Sequence, residues 1–123
     1  MDKFKKTIAI DFDGVIHKYS KGWQNGVIYD DPVKGVHEAL MTLMKDYAVY
    51  IFTTRNALDV VNWMNIDFWG DGEMGFKTVL IPEDVKFWQG TELGVSNRKL
   101  PAMAYIDDRG IRFTNWKDMM NYF

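Results

Sequence analysis

The sequence predicts an α/β protein whose mostly parallel sheet is covered on both faces. Two observations predict it. Four short apolar runs, at 7–10, 48–52, 78–81 and 102–106, alternate with segments whose apolar residues recur at helical spacing. Three of those runs then stop at clustered polar residues: Asp11 and Asp13, Thr53 and Thr54, Asp107 and Asp108. In open parallel sheets ligands bind beyond the carboxyl ends of the strands, so this coincidence is the main functional signal in the chain.

Thr7-Ile8-Ala9-Ile10 is short, apolar and partly β-branched, and its end at Asp11-Phe12-Asp13-Gly14 suits a buried strand emerging at a sheet edge. Residues 17–31 mix Tyr, Ser, Gly, Asn and Asp and read as an irregular loop or a small hairpin flap. Asp31-Pro32 supplies a cap followed by proline at a first helical position. With Val36, Leu40, Leu43 and Met44 this predicts a helix over 32–45. Ala48-Val49-Tyr50-Ile51-Phe52 is a second buried strand, and Asn56 caps a second helix carrying Val60, Val61, Met64 and Phe68 that stops in the 70–75 stretch. A third strand over 78–81, a fourth over 102–106 and a short terminal helix around 116–122 complete the prediction. No repeat is visible, and Pro32, Pro82 and Pro101 form no linker, so residues 1–123 read as one domain.

Composition narrows the chemistry. At 123 residues most of the chain is needed to bury one core. The 15 Lys and Arg against 17 Asp and Glu argue against a basic nucleic-acid-binding face, and 15% aromatic residues argue against a disordered acidic chain. With no cysteine there is no thiolate nucleophile, disulfide or thiolate metal site. Any metal must be held by oxygen or by His17 and His37, which favours hard cations. The longest apolar stretch, 48–52, is far short of a membrane span, and the first six residues lack a signal peptide's apolar region, so the expectation is a cytoplasmic protein without a membrane partner.

Asp11 and Asp13 are two apart at a strand end, so alternation sends both carboxylates to one side and Phe12 to the other. Carboxylates held close repel unless a cation or proton intervenes, and Asp107 and Asp108 add to the negative charge. Mg²⁺ matches such a set and would also hold a phosphate oxygen. Lys99 could neutralise phosphate charge, while the Thr53 hydroxyl and turn N–H groups could donate to it. These parts describe phosphoryl transfer to a carboxylate. Asp11 attacks phosphorus, and Asp13 protonates the leaving oxygen and then serves as base for the hydrolytic water.

In the order Asp11-Phe12-Asp13-Gly14-Val15, Thr53, Lys99 and Ile106-Asp107-Asp108, the chain resembles the four motifs of the haloacid dehalogenase (HAD) superfamily of phosphohydrolases, over residues 7 to about 109. The resemblance implies a single three-layer Rossmann-like domain, Mg²⁺, Asp11 as nucleophile and metal ligand, and Asp13 as acid/base with its backbone carbonyl on the metal. It places Thr53, or Thr54 after a shift of one, together with Lys99 on the phosphate. Asp108 becomes the first choice of further metal ligand and Asp107 its neighbour or alternate. Neither gap between the motifs has room for a cap domain, so the chain resembles capless phage and bacterial members and, more distantly, 5′(3′)-deoxyribonucleotidases. By that analogy an open site implies a bulky phosphorylated substrate (a nucleotide, a nucleic-acid end or a phosphoprotein) or shielding by a second subunit in a homo-oligomer.

Other residues admit plainer readings. His17 reads as an exposed loop histidine and His37 as structural, while Arg55 is either a surface arginine or a substrate contact. Trp23, Trp88 and Trp116 receive no role, and Met41, Met44, Met64, Met119 and Met120 read as core filler. Two rivals share the residue set: a non-catalytic module on the same scaffold, and a signalling receiver domain, whose phosphorylated Asp follows a later strand than the first.

Overall fold

The computed structural model describes residues 4–107 and 111–123, and the Asp108 expectation lies outside them. The chain runs β1 (Thr7–Asp11), α1 (Val36–Asp46), β2 (Ala48–Phe52), α2 (Ala57–Trp63), β3 (Thr78–Leu80), β4 (Leu93–Ser96), β5 (Ala104–Asp107), β6 (Ile111–Arg112) and α3 (Trp116–Met119). The sheet order is β3-β4-β2-β1-β5-β6, with every pairing parallel. This is the α/β architecture that the alternation predicts, with no cap domain inserted.

Alternation along the central strands divides the core in two. Ile8, Ile10 and Phe12 of β1 and its turn, with Val49 and Ile51 of β2, face one way, against Leu40 and Leu43 of α1, Val60 of α2, Met64 just beyond it, and Trp116 and Met119 of α3. Ala9, Ala48 and Tyr50 face the other way, against Ile81, Trp88 and Leu100. Right-handed crossovers explain the split. The β1-α1-β2 and β2-α2-β3 connections move in one direction across the sheet, so both helices lie on one face. The chain then reverses, and among the described residues the second face is covered by non-helical chain between 81 and 103. The third layer is loop.

Several boundaries differ from expectation. The first helix starts at Val36, because Gly35 at its cap adopts φ 85°, a left-handed conformation that Asp31-Pro32 cannot supply. Pro32 instead bridges His17 in the flap, and the Val33 N–H donates to the Ile16 carbonyl at 2.8 Å. Asn56 caps α2 as predicted, its side chain accepting from the Asp59 N–H at 3.1 Å, and the helix continues as a π-helical turn over Met64–Phe68. Strand β4 was not foreseen. Its Gly94 lies beneath Trp88 and Ile81, where an added Cβ would come within 2.9 Å of one and 2.7 Å of the other, so the strand needs a residue that strand propensity disfavours. The terminal helix forms over Trp116–Met119, with a 3₁₀ turn over Met120–Tyr122.

Candidate functional site

Asp11 closes β1 and pairs in register with Phe52 at the end of β2; on the other side Ile10 pairs with Ile106, so Asp107 stands one residue beyond that pair, beside Asp11. The chain leaves β1 toward β2 but leaves β5 toward the β6 edge of the sheet. Connections therefore diverge at the carboxyl ends of β1 and β5, where parallel sheets open a crevice.

The turn after β1 sets the first two carboxylates. The Phe12 carbonyl accepts from the N–H groups of Val15, Ile16 and His17 at 3.3, 2.9 and 3.0 Å, and Gly14 makes this tight reversal possible at φ 83°. Phe12 is driven into the helical-side core, completely buried. Asp11 keeps one carboxylate oxygen on the Phe12 N–H at 2.9 Å.

Asp13 is tied more closely than the sequence suggested. Arg55 Nε donates to both of its oxygens, at 2.8 Å to Oδ2 and 3.1 Å to Oδ1, and His17 Nδ1 lies 2.9 Å from Oδ1. The His17 Nε2 accepts from the Asp30 N–H at 3.0 Å, so the ring proton sits on Nδ1 and is donated to Asp13. Arg55 also donates from Nη1 to the Gly26 carbonyl at 2.8 Å, and its guanidinium lies 4.7 Å from the Trp23 ring centroid and 5.6 Å from that of Tyr19. Its Nη2 is buried and has no hydrogen-bond partner among the described residues. The reading of His17 as an exposed loop histidine is thus overturned: it is completely buried, stacked on Phe12, because the flap folds over it. Arg55, 3% exposed, is no surface arginine.

The flap is ordered by its own polar contacts rather than by a hairpin ladder. Ser20 donates backbone N–H and hydroxyl to Asp30, the Lys21 N–H donates to the Tyr29 hydroxyl, and that hydroxyl donates to the Gly22 carbonyl. The Ser20 hydroxyl and the N–H groups of Ser20 and Asp31 hold the Asp30 carboxyl down at about 2.

Thr53 follows β2, buried, its hydroxyl oxygen accepting from the Arg55 N–H at 3.1 Å and so keeping its own proton to donate. The Asn97 amide braces this turn from β4, donating to the Thr53 and Arg55 carbonyls at 2.7 Å each. Thr54 is exposed. Lys99 is exposed too; its ammonium lies 3.9 Å from Asp107 and 5.1 and 5.7 Å from the ring centroids of Tyr105 and Phe52. The next residue, Leu100, is clamped: its N–H donates to the Tyr50 hydroxyl at 2.8 Å, and its carbonyl accepts from the hydroxyls of Tyr50 and Tyr105 at 2.7 and 2.6 Å.

Among the described residues no group of three or more His, Asp or Glu side chains is gathered as a metal cage, and the Asp13 carboxylate is engaged by Arg55 and His17. Asp11 and Asp107 stand at the ends of adjacent strands, β1 and β5. Two carboxylates with remaining positions filled by water is a donor set that suits Mg²⁺. His37 plays no part: it stacks on Phe68 at 3.8 Å and hydrogen-bonds its carbonyl at 2.9 Å. Trp88 and Trp116 are core residues, and Trp116 donates to the Val15 carbonyl at 3.2 Å, tying α3 to the turn after β1.

What sequence reasoning missed is the support around the acidic pair. His17 four residues past Asp13, and Arg55 two past Thr53, were visible as positions, but only the folded flap shows that both converge on Asp13. Compared with known proteins, the chain matches no family model, no curated protein and no solved structure.

Proposed function

We propose that the chain is a Mg²⁺-dependent phosphomonoester hydrolase of the HAD type, working through an aspartyl-phosphate at Asp11. The observation that carries the reading is the convergence of Asp11, Thr53 and Asp107 on the carboxyl ends of three adjacent strands, β1, β2 and β5, where the connections diverge, with Lys99 beside Asp107. In the reaction an Asp11 oxygen attacks phosphorus and the bond to the ester oxygen breaks. A proton passes from the Asp13 carboxyl to that oxygen, which leaves as the alcohol. Water then attacks the phosphoryl group and gives its proton to Asp13; the bond to Asp11 breaks and inorganic phosphate departs. The Thr53 hydroxyl and the Lys99 ammonium hold the transferring oxygens. Asp11, together with Asp108 or its alternate Asp107, would hold Mg²⁺, whose charge lets an anionic nucleophile approach an anionic ester.

The substrate class is a phosphomonoester with a bulky group, since no cap domain is inserted among the described residues; nucleotides, nucleic-acid ends and phosphoproteins belong to it. A cytoplasmic setting is part of the proposal; no helix among the described residues is long and apolar enough to cross a membrane. The test is phosphate release from a panel of mononucleotides, oligonucleotides with terminal phosphate and phosphopeptides, with Mg²⁺ and with chelator. Asp11→Asn is expected to lower the Mg²⁺-dependent rate by at least about 10³-fold. Turnover that survives Asp11→Asn, or no Mg²⁺-dependent release from any ester, refutes it.

A further inference from the structure

Three segments of the chain meet on one carboxylate. Asp13 follows β1; His17, which reaches it from within the turn, holds the far side of the flap through the Asp30 N–H; Arg55 reaches it from the start of α2 while holding the flap at Gly26. We propose that His17 and Arg55 are positioning residues that fix the Asp13 carboxyl for proton transfer to the leaving oxygen and couple that transfer to closure of the 17–31 flap. The inference rests on the phosphatase reading above.

Geometry supports it in three ways. Both Asp13 oxygens receive a donor, so the carboxyl group cannot turn about its bond to Cβ without breaking contacts to two buried side chains. The His17 tautomer is fixed by the Asp30 N–H on Nε2, which commits the other ring nitrogen to donate to Asp13. Arg55 is expensive for a mere flap anchor: its Nη2 is buried without a partner among the described residues, a cost that a neutral side chain holding Gly26 would avoid. Arg55 contacts both oxygens and His17 contacts Oδ1, which leaves Oδ2 with one contact and a lone-pair direction open to a leaving oxygen or a water.

General acid catalysis matters in proportion to how poor the leaving group is, and this separates a positioning role from a structural one. Arg55→Met and His17→Leu, which remove the donors, and Arg55→Lys and His17→Gln, which keep one, should be compared on an alkyl phosphomonoester and on 4-nitrophenyl phosphate, with Mg²⁺ saturating. Arg55→Met and His17→Leu are expected to lose at least about 10²-fold in kcat/KM on the alkyl ester and less than about 10-fold on the nitrophenyl ester, whose leaving group needs no proton; kcat/KM reports the transfer to Asp11 and not the later hydrolysis that both esters share. The donor-keeping variants should recover part of the alkyl-ester loss. Hydrogen exchange at the Asp30 amide should quicken in His17→Leu, reporting flap release independently of turnover. Equal losses on the two esters, even with a loosened flap, overturn the inference and leave His17 and Arg55 as flap anchors. If circular dichroism finds Arg55→Met or His17→Leu unfolded, the same comparison on Arg55→Lys and His17→Gln decides. Absence of Mg²⁺-dependent turnover by the unaltered chain overturns the phosphatase reading itself, and this inference with it.

Discussion

Tyr50→Phe tests whether the Lys99 segment is set by the clamp on Leu100. The Tyr50 phenol is completely buried beneath the sheet and both donates to the Leu100 carbonyl and accepts from its N–H. Burial, with Tyr105 close by, pushes its titration well above the ordinary 10.0, so the hydroxyl stays neutral and can do both. Phenylalanine keeps the ring and removes the oxygen. The Leu100 carbonyl retains the Tyr105 hydroxyl at 2.6 Å, but the Leu100 N–H loses its partner. An orphaned buried donor costs about 1–3 kcal/mol. Taking about 2 kcal/mol, and about 4 °C per kcal/mol for a chain of this size, Tm should fall by about 8 °C. Tyr105→Phe is the control, because Leu100 then keeps both Tyr50 contacts and no donor is stranded; its cost should be about 1 kcal/mol or less. The assay is thermal unfolding by circular dichroism on all three proteins, with KM for a phosphate ester measured in parallel, since Lys99 adjoins the clamp. A Tyr50→Phe loss no greater than that of Tyr105→Phe would refute the reasoning. The clamp also predicts an alkaline limit. The folded titration lies above the unfolded one, so this contribution is intact below pH 10 and is lost as pH rises beyond it.

Two further outcomes follow from the fold. Gly94→Ala would put a methyl 2.7 Å from Ile81 side-chain carbons and 2.9 Å from the Trp88 ring, overpacking the loop-covered face; urea unfolding should show a loss of about 1–3 kcal/mol, and an unchanged midpoint would contradict the packing described. Asp30 should titrate near 2, and Ser20→Ala should move it up toward the ordinary 3.8, as read from carboxyl chemical shifts. Its folded value is depressed, so the flap contact is fully present above 3.8 and is lost only as pH falls toward 2.

The central strands were legible because their apolar runs are continuous and end in charge; Ile8, Ile10, Val49 and Ile51 are buried where the pattern puts them. The Asn56 cap was legible because capping is local. Strand β4 was not, since Leu93-Gly94-Val95-Ser96 is short and its glycine answers to Trp88 and Ile81, which sequence spacing does not reveal. The start of α1 was misread because Asp31-Pro32 carries a genuine helix-start signal, yet Pro32 is drawn into the flap and Gly35 provides the reversal. At the candidate site the acidic pair and Thr53 stood out as strand-end polar residues. The partnership of Asp13 with Arg55 spans 42 residues of sequence and depends on how the 17–31 segment closes, which no local pattern encodes.

The convergence on Asp13 changes what an inactivating substitution there would mean. Asn in its place would turn an amide N–H₂ toward the Arg55 Nε or the His17 Nδ1–H, setting donor against donor at one of them. The flap would lose a tether at the same moment that the proton carrier was lost, so an Asp13→Asn protein would report chemistry and loop closure together, and a ligand trapped in it would not reveal the native entrance. At Asp11 the amide oxygen of Asn can still receive the Phe12 N–H, and Arg55 and His17 stay tied, so a substrate-trapping form is better built two residues earlier, at Asp11.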